Sequence, residues 1–365
     1  MKVYLIDANA LIYRIYHAMP KLTDSQGRSV QAVYGLANIL LKILKEEKPD
    51  YIFALYDRPE PTIRHQVFKE YKATRPPTTD DLKLQISLSK KIFSAFNIPV
   101  IEKIGYEADD LIATLKEKFV NLADEIIILT GDLDTLQLVD QKTKILTMQR
   151  GITKTTIYDE NKVKEKYGIL PYQFPDYKAL VGDTSDNIIG ISGIGPKTAS
   201  QLLQKYQNLE GIIKAAEEKK LDPKINLQIL SNKEKLLFNK DLITLRKNIK
   251  IEEQFLTPYQ NFQKNELISI FQEFGFKSLI QRLTQETSSQ GLFAKTLISE
   301  EKIISFSNLR HPFLFYLEKD QIKIDDGLGK FKILDKKFLK EIFFLEGEKF
   351  VFDLKNIFKE IFKDD

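Results

Sequence analysis

Short runs of Val, Ile, Leu, Phe and Tyr recur through the first 150 residues, separated by longer stretches of helical periodicity. Val3–Asp7, Tyr51–Asp57, Val100–Ile104, Glu125–Thr130 and Lys144–Met148 read as strands. None shows a clean polar alternation, as expected of strands covered on both faces of a sheet. Asn9–Met19, Val30–Glu47, Leu82–Phe96 and Asp109–Val120 read as helices. This β-α-β-α order predicts an α/β domain with a parallel sheet and helices on both sides. From about Asn161 the strand pattern stops. Helices, punctuated by glycine turns and by Pro171, Pro175 and Pro196, then run to about Thr284. The polar stretch Gln285–Gln290 reads as a linker. Beyond it the chain turns Phe- and Lys-rich, and alternation over residues 312–324 predicts a hairpin.

Composition narrows the chemistry. With 365 residues the chain has room for two or three domains, and 43% hydrophobic against 29% charged residues is ordinary for a globular protein. It has no cysteine, so disulfides, thiolate metal sites and thiol nucleophiles are excluded. The three histidines, His17, His65 and His311, are scattered. Any metal must therefore rest on carboxylates, which suit hard cations such as Mg²⁺ or Mn²⁺. Asp7 and Arg14 interrupt the N-terminus too early for a secretory segment, and no run approaches a membrane span, so a cytoplasmic location is expected. A net charge of +4 is too weak to imply nucleic acid by itself.

Three strand-like runs end in acid: one at Asp7, one at Asp57, and one at Asp132 with Asp134 two positions on. In an open parallel sheet, ligands bind outside the carboxyl ends of the strands, so these acids converge on one edge. Glu107, Asp109 and Asp110 open the helix after the third strand. Singly, such acids read as helix caps or turn residues. Together they would accumulate uncompensated negative charge, which a divalent cation would neutralise. Further on, Lys178 precedes Asp183 and Asp186, a group that taken alone reads as a surface turn.

The most specific segment is Gly193-Ile194-Gly195-Pro196-Lys197-Thr198, followed by an amphipathic helix. Glycines let backbone approach a phosphate closely, helix amides then meet the anion, and Lys197 adds charge. This resembles helix-hairpin-helix modules that hold a nucleic-acid backbone without reading bases. A basic, proline-interrupted stretch from Arg58 to Lys91 follows the second acid-ending strand. It reads equally well as a guide for a phosphate backbone or as a solvated helix pair.

Taken in order, Asp7, Asp57, Glu107-x-Asp109-Asp110, Asp132-x-Asp134, Gly182-Asp183-x-x-Asp186 and the Gly193–Lys197 turn resemble the flap endonuclease family. The resemblance is to the 5′→3′ exonuclease domain of bacterial DNA polymerase I in particular, and it covers residues 1–285. It implies a PIN-type, Rossmann-like nuclease domain over residues 1–172, with a helical arch at about 58–95. A helix-3-turn-helix DNA-binding domain would occupy 173–290. It also implies two divalent ions, Mg²⁺ or Mn²⁺. Asp7, Asp57, Glu107, Asp109, Asp110 and Asp132 would surround the first, with Asp134, Asp183 and Asp186 nearer the second. Lys72 would contact the scissile phosphate with Arg75 beside it, and Lys178 would be a further active-site cation. Arg14, Tyr71 and the turn (Gly193, Gly195, Lys197, Thr198) would bind DNA, the turn with a K⁺ ion.

Residues 291–365 resemble the start of a proofreading-type 3′→5′ exonuclease domain. Their first strand, Phe313–Glu318, lacks the paired acids of an active site, and the segment is too short for a whole domain of that type, so it is expected to be catalytically silent. The implied partners are branched, flapped or nicked DNA, with RNA primer ends and a functional link to a DNA polymerase, for a monomer acting at the bacterial nucleoid. Two other readings stay open: a non-catalytic DNA-junction binder, and an accessory fragment of a polymerase.

Overall fold

The computed structural model describes residues 1–148 and 155–288, and beyond them four strands within 313–351. The chain forms two compact units, Met1–Thr284 and Gln285–Asp365.

The first unit is built on a six-stranded sheet. Its elements run β1 (Lys2–Asp7), α1 (Ala8–Ala18), α2 (Gln31–Glu46), β2 (Tyr51–Tyr56), α3 (Ile63–Val67), α4 (Asp80–Ala95), β3 (Val100–Glu102), α5 (Ala108–Phe119), β4 (Glu125–Leu129), β5 (Thr143–Met148) and β6 (Thr155–Tyr158). The order across the sheet is β3-β2-β1-β4-β5-β6. The first five strands are parallel, and β6 closes the edge antiparallel to β5. The sequence reading missed β6, a four-residue edge strand too short to show a period, so the sheet is mixed rather than wholly parallel. Alternation explains the two covered faces. Val3 and Leu5 point into one core with Leu111, Ile112 and Leu115 of α5. Tyr4 and Ile6 point into the other, with Leu11 and Ile15 of α1, Leu36 and Leu40 of α2, and Ile92 and Phe93 of α4.

Strand order reverses between β1 and β4, which are direct neighbours (Leu5 beside Ile128). Chain leaving β1 crosses toward β2, while chain leaving β4 crosses toward β5, so a crevice opens beyond their carboxyl ends.

Helices then dominate: α6 (Glu160–Tyr167), α7 (Phe174–Val181), α8 (Pro196–Tyr206), α9 (Leu209–Glu217), α10 (Pro223–Ser231), α11 (Lys233–Ile243), α12 (Lys264–Glu273) and α13 (Lys277–Ser288). A two-residue pair, β7 (Gly182–Asp183) with β8 (Ile188–Ile189), interrupts them. Helices α7 to α9 and α11 pack on the α5 face, whereas α12 and α13 pack on the α4 face. Helix α13 takes in the first four residues of the expected linker. In the second unit, β9 (Phe313–Glu318) and β10 (Gln321–Asp325) form the expected hairpin. β11 (Phe331–Asp335) and β12 (Lys349–Val351) flank it, in the order β11-β10-β9-β12. The rest of the exonuclease-like segment, and the end of the linker, lie outside the described residues.

Candidate metal centre

Strand ends and helix starts build the site. Asp7 closes β1 and caps α1. Its Oδ1 accepts the Ala10 N–H at 3.0 Å, and its Oδ2 accepts the Thr130 hydroxyl at 2.7 Å. Asp57 follows β2 and accepts the Ala108 N–H of α5 at 2.7 Å. Beyond β4, Asp132 caps the short helical turn Leu133–Leu138 by accepting the Asp134 N–H at 2.9 Å. Asp109 lies in the first turn of α5, where exposed amides favour negative charge.

Burial and like charges act against these carboxylates. The Asp109 carboxyl is held well above the usual range by burial, then by Asp132, Asp7, Asp134 and Asp57. Asp7 is raised by burial and by Asp57. One Asp109 oxygen, Oδ1, is buried with no hydrogen-bond partner. Among the described residues, no lysine or arginine pairs with Asp7, Asp57, Asp109 or Asp132, while other acids of the site do have such partners. An orphaned carboxylate oxygen among oxygen-only donors is what a hard divalent ion would complete.

A second group stands beside the first. Single carboxylate oxygens of Asp134, Asp183 and Asp186 lie within 4.8 Å of one another, an acidic cluster able to hold a divalent metal. Here cations are already present. Lys178, from α7, donates to Asp134 and, at 2.6 Å, to Asp183. Arg75 reaches Asp186 at 2.6 Å, and Lys72 reaches Glu107 at 2.8 Å.

The stretch expected to arch over the site, about residues 58–95, holds α3, the turn at residues 70–75 and α4. α4 buries Leu82, Leu88, Ile92 and Phe93 and belongs to the scaffold. What crosses the site is the turn at residues 70–75, fastened to the β7–β8 loop. The Lys72 N–H donates to the Asp186 carbonyl at 3.1 Å, and the Asn187 side chain to the Glu70 carbonyl at 2.9 Å. Lys72 has a left-handed φ of +56°, which turns its side chain inward at some backbone cost. Tyr71, expected as a DNA contact, is 3% exposed. Its hydroxyl lies 2.9 Å from Asp186 and 3.1 Å from Glu107, bridging the two groups of acids.

Asp110 also departs from expectation. It is 0% exposed and accepts from both terminal nitrogens of Arg64 (2.6 and 2.8 Å), the Glu107 N–H (3.2 Å) and the Arg246 N–H (2.9 Å). With four donors satisfied it is an anchor for α3 and α5 rather than a free ligand. Adjacent acids in a helix point in different directions, and sequence spacing alone did not say which faced the crevice.

The crevice has a volume of about 620 Å³, and Asp7, Asp57, Asp109, Asp132, Lys72 and Arg75 all line it. Arg14 borders it, as does Tyr13, a half-exposed ring that the sequence reading passed over because one tyrosine on an amphipathic helix carries no signal. Thr130 and Ser185, which hold Asp7 and Asp183, were missed for the same reason: uncharged residues at strand ends look like turns. The Gly193–Thr198 segment runs from the loop after β8 into the first turn of α8. Gly193 has φ +82°, Gly195 caps α8, Lys197 is exposed, and Ile194 is buried beneath.

The pattern of the 5′-3′ exonuclease N-terminal resolvase-like domain matches residues 2–168, and that of the 5′-3′ exonuclease C-terminal SAM fold matches residues 169–265. A 5′-3′ exonuclease of Aquifex aeolicus is 34% identical over 80% of this chain and 99% of its own length. DNA polymerase I of Caldicellulosiruptor bescii is 36% identical across all of this chain, which spans 44% of that protein's length. A T5 5′-exonuclease structure with bound zinc aligns with TM-score 0.55 at 19% identity, covering 79% of this chain and 99% of that one. The T5 D15 flap endonuclease, in a pseudo-enzyme–product complex with DNA and metal ions, gives the same score and identity over 79% of this chain and 98% of its own. At that identity the two solved structures speak for the fold.

Proposed function

The chain is an enzyme of the 5′-3′ exonuclease family, and from that premise we propose that it hydrolyses DNA phosphodiesters at flapped, branched or nicked 5′ ends with two divalent ions. The observation that carries this reading is the buried, unpartnered oxygen of Asp109 among Asp7, Asp57 and Asp132, opposite the cations Lys72 and Arg75. Oxygen-only donors favour Mg²⁺ or Mn²⁺. Asp7, Asp57, Asp109 and Asp132, with Glu107, would hold one ion. Asp134, Asp183 and Asp186 would hold the other. When bound, such a pair supplies water of lowered pKa and steadies the attacking and leaving oxygens.

The remaining roles fall to this chain's own groups. Lys72 and Arg75, now paired with Glu107 and Asp186, sit where a phosphate in the crevice would meet them, and each would neutralise charge as the transition state forms. Lys178 offsets the second acid group from behind. Tyr71 would orient Glu107 and Asp186 rather than touch DNA. Arg14 at the crevice wall would meet the strand. The turn at Gly193, Gly195, Lys197 and Thr198 would grip duplex backbone as part of a helix-3-turn-helix domain at 173–290, with K⁺ as its ion. Residues 1–172 would form the PIN-type catalytic domain, and residues 291–365 would be silent in cleavage. A role beside a DNA polymerase, on RNA primer ends among others, in the cytoplasm and as a monomer, completes the proposal. No helix among the described residues is long and apolar enough to cross a membrane.

A non-catalytic junction binder would be expected to have lost some strand-end acids, and Asp7, Asp57 and Asp132 are all present at or just after the ends of β1, β2 and β4. A labelled 5′-flap substrate separates the readings. Mg²⁺-dependent products of defined length from the isolated chain are expected. Binding without cleavage would favour the non-catalytic reading.

A further inference from the structure

The two central strands carry their acids on separate stretches of chain: Asp7 ends β1, while Asp132 and Asp134 follow β4. One hydroxyl joins them. Thr130 is 2% exposed, and its backbone is fixed to the sheet by donation to the Leu146 carbonyl at 3.2 Å. Its Oγ1 accepts the Asp132 N–H at 2.9 Å. That oxygen carries one proton, which it donates to Asp7 Oδ2 at 2.7 Å. Asp132 in turn accepts the Asp134 N–H at 2.9 Å. The result is a directional chain, Asp134 to Asp132 to Thr130 to Asp7, across the point where strand order reverses.

The other Asp7 oxygen is held by the Ala10 N–H at 3.0 Å, so the carboxylate is gripped at both ends. Carboxylates that ligate metals depend on such outer partners for orientation. Without the Thr130 hydroxyl, Asp7 Oδ2 would be left buried beside Asp57 and Asp132 with no donor, and the Asp132 loop would lose its tie to β4. We infer that Thr130 is a positioning residue that sets divalent-metal affinity by aligning Asp7 with Asp132. Its hydroxyl acts through Asp7 and Asp132, the two groups it bonds. The inference rests on the metal-centre reading above.

The test is Mn²⁺ binding to the full chain without DNA, followed by the electron paramagnetic resonance signal of the free ion. Thr130→Val keeps the shape and removes the hydroxyl, and should weaken binding about ten-fold, the lower end of what loss of an outer partner costs. Thr130→Ser keeps the hydroxyl and should bind close to wild type. In flap cleavage, the valine variant should need more Mn²⁺ but approach the wild-type rate once saturated. Valine and wild type binding alike would overturn the inference while leaving the metal centre intact. So would serine weakening as much as valine, since that would make the role one of packing. Wild-type protein that binds no Mn²⁺ would overturn the metal centre, and the inference with it.

Discussion

The two groups of acids at the crevice meet the same problem in opposite ways. Asp7, Asp57, Asp109 and Asp132 sit at strand ends and a helix start; backbone N–H groups and the Thr130 hydroxyl serve Asp7, Asp57 and Asp132, and Asp109 Oδ1 is buried with no partner. Asp134, Asp183 and Asp186 are served by the long cations Lys178 and Arg75. A parallel sheet brings its strand ends together by topology, and helix amides supply partial positive charge there. Those amides do not balance four carboxylates, so protons or a metal must. The second group is assembled from a later turn and the β7–β8 loop, and comes with counter-ions that an incoming ion must displace or share. On the proposed reading, an ion would meet no competing cation in the first group and would compete with Lys178 and Arg75 in the second.

The sharpest way to break this picture is to remove one acid from each group. Asp132→Asn with Asp134→Asn should abolish Mg²⁺-dependent flap cleavage while flap binding in Ca²⁺ persists. Near wild-type cleavage by that double variant would sink the two-metal assignment. A smaller but still large effect is expected at Lys72. Its contact with phosphate should strengthen in the transition state, so Lys72→Ala should lower single-turnover cleavage by roughly 100-fold with little change in affinity. Equal losses in binding and rate would make Lys72 a plain backbone contact.

Asp109 and Asp110 put the comparison into two neighbouring residues. Asp110 is paired with buried Arg64, so Asp110→Asn breaks a buried ion pair and should cost about 3–5 kcal/mol of stability. Metal affinity should change far less in that variant. Asp109 is the reverse case. Its carboxyl is raised above its ordinary value of 3.8, so the folded state holds a proton there that the unfolded state has released. Metal-free stability should therefore fall as pH rises from about 4 upward, and Asp7, itself pushed up to about 7, adds a fall of its own between about 4 and 7. Asp109→Asn should flatten this fall in melting temperature in EDTA. In the wild type, the gain from Mg²⁺ should grow over the same range, because the ion needs the deprotonated form. If Asp110→Asn lost metal binding at unchanged stability, the assignment of the two residues would be exchanged.

How much of this was legible in the sequence follows from the same distinction. Asp7, Asp57 and Asp132 could be placed because each ends an apolar run, and in an α/β order strand ends share an edge. The α/β class and the boundaries of α2 and β4 came from periodicity in the same way. Asp110 and Tyr71 could not be placed. Their environment is set by Arg64 and Asp186, which lie 46 and 115 positions away. Such pairings depend on how α3 meets α5 and how the turn at residues 70–75 meets the β7–β8 loop, and local pattern carries no trace of either. Thr130 was invisible for another reason: it has the right position but no charge.

The weakest effect is expected furthest from the acids, at the Gly193–Lys197 turn, where charge is exposed rather than buried. Lys197 is solvent-facing, and the open backbone at Gly193 and Gly195 leaves room for a phosphate to approach. An exposed lysine on a phosphate acts mainly by releasing counter-ions, so its contribution should depend on salt and not on base sequence. Lys197→Ala should weaken duplex binding about equally across sequences and flatten the log–log salt dependence by roughly one unit of slope. Lys72→Ala should leave that slope nearly unchanged, because Lys72 gives up a protein carboxylate, not solvent, to meet its phosphate. The two slopes, measured side by side on one nicked duplex in Ca²⁺, separate gripping from catalysis. A slope unchanged by Lys197→Ala would reduce the turn to a tight helix–helix connection. A loss confined to particular sequences would mean that it reads bases, contrary to the argument made for it.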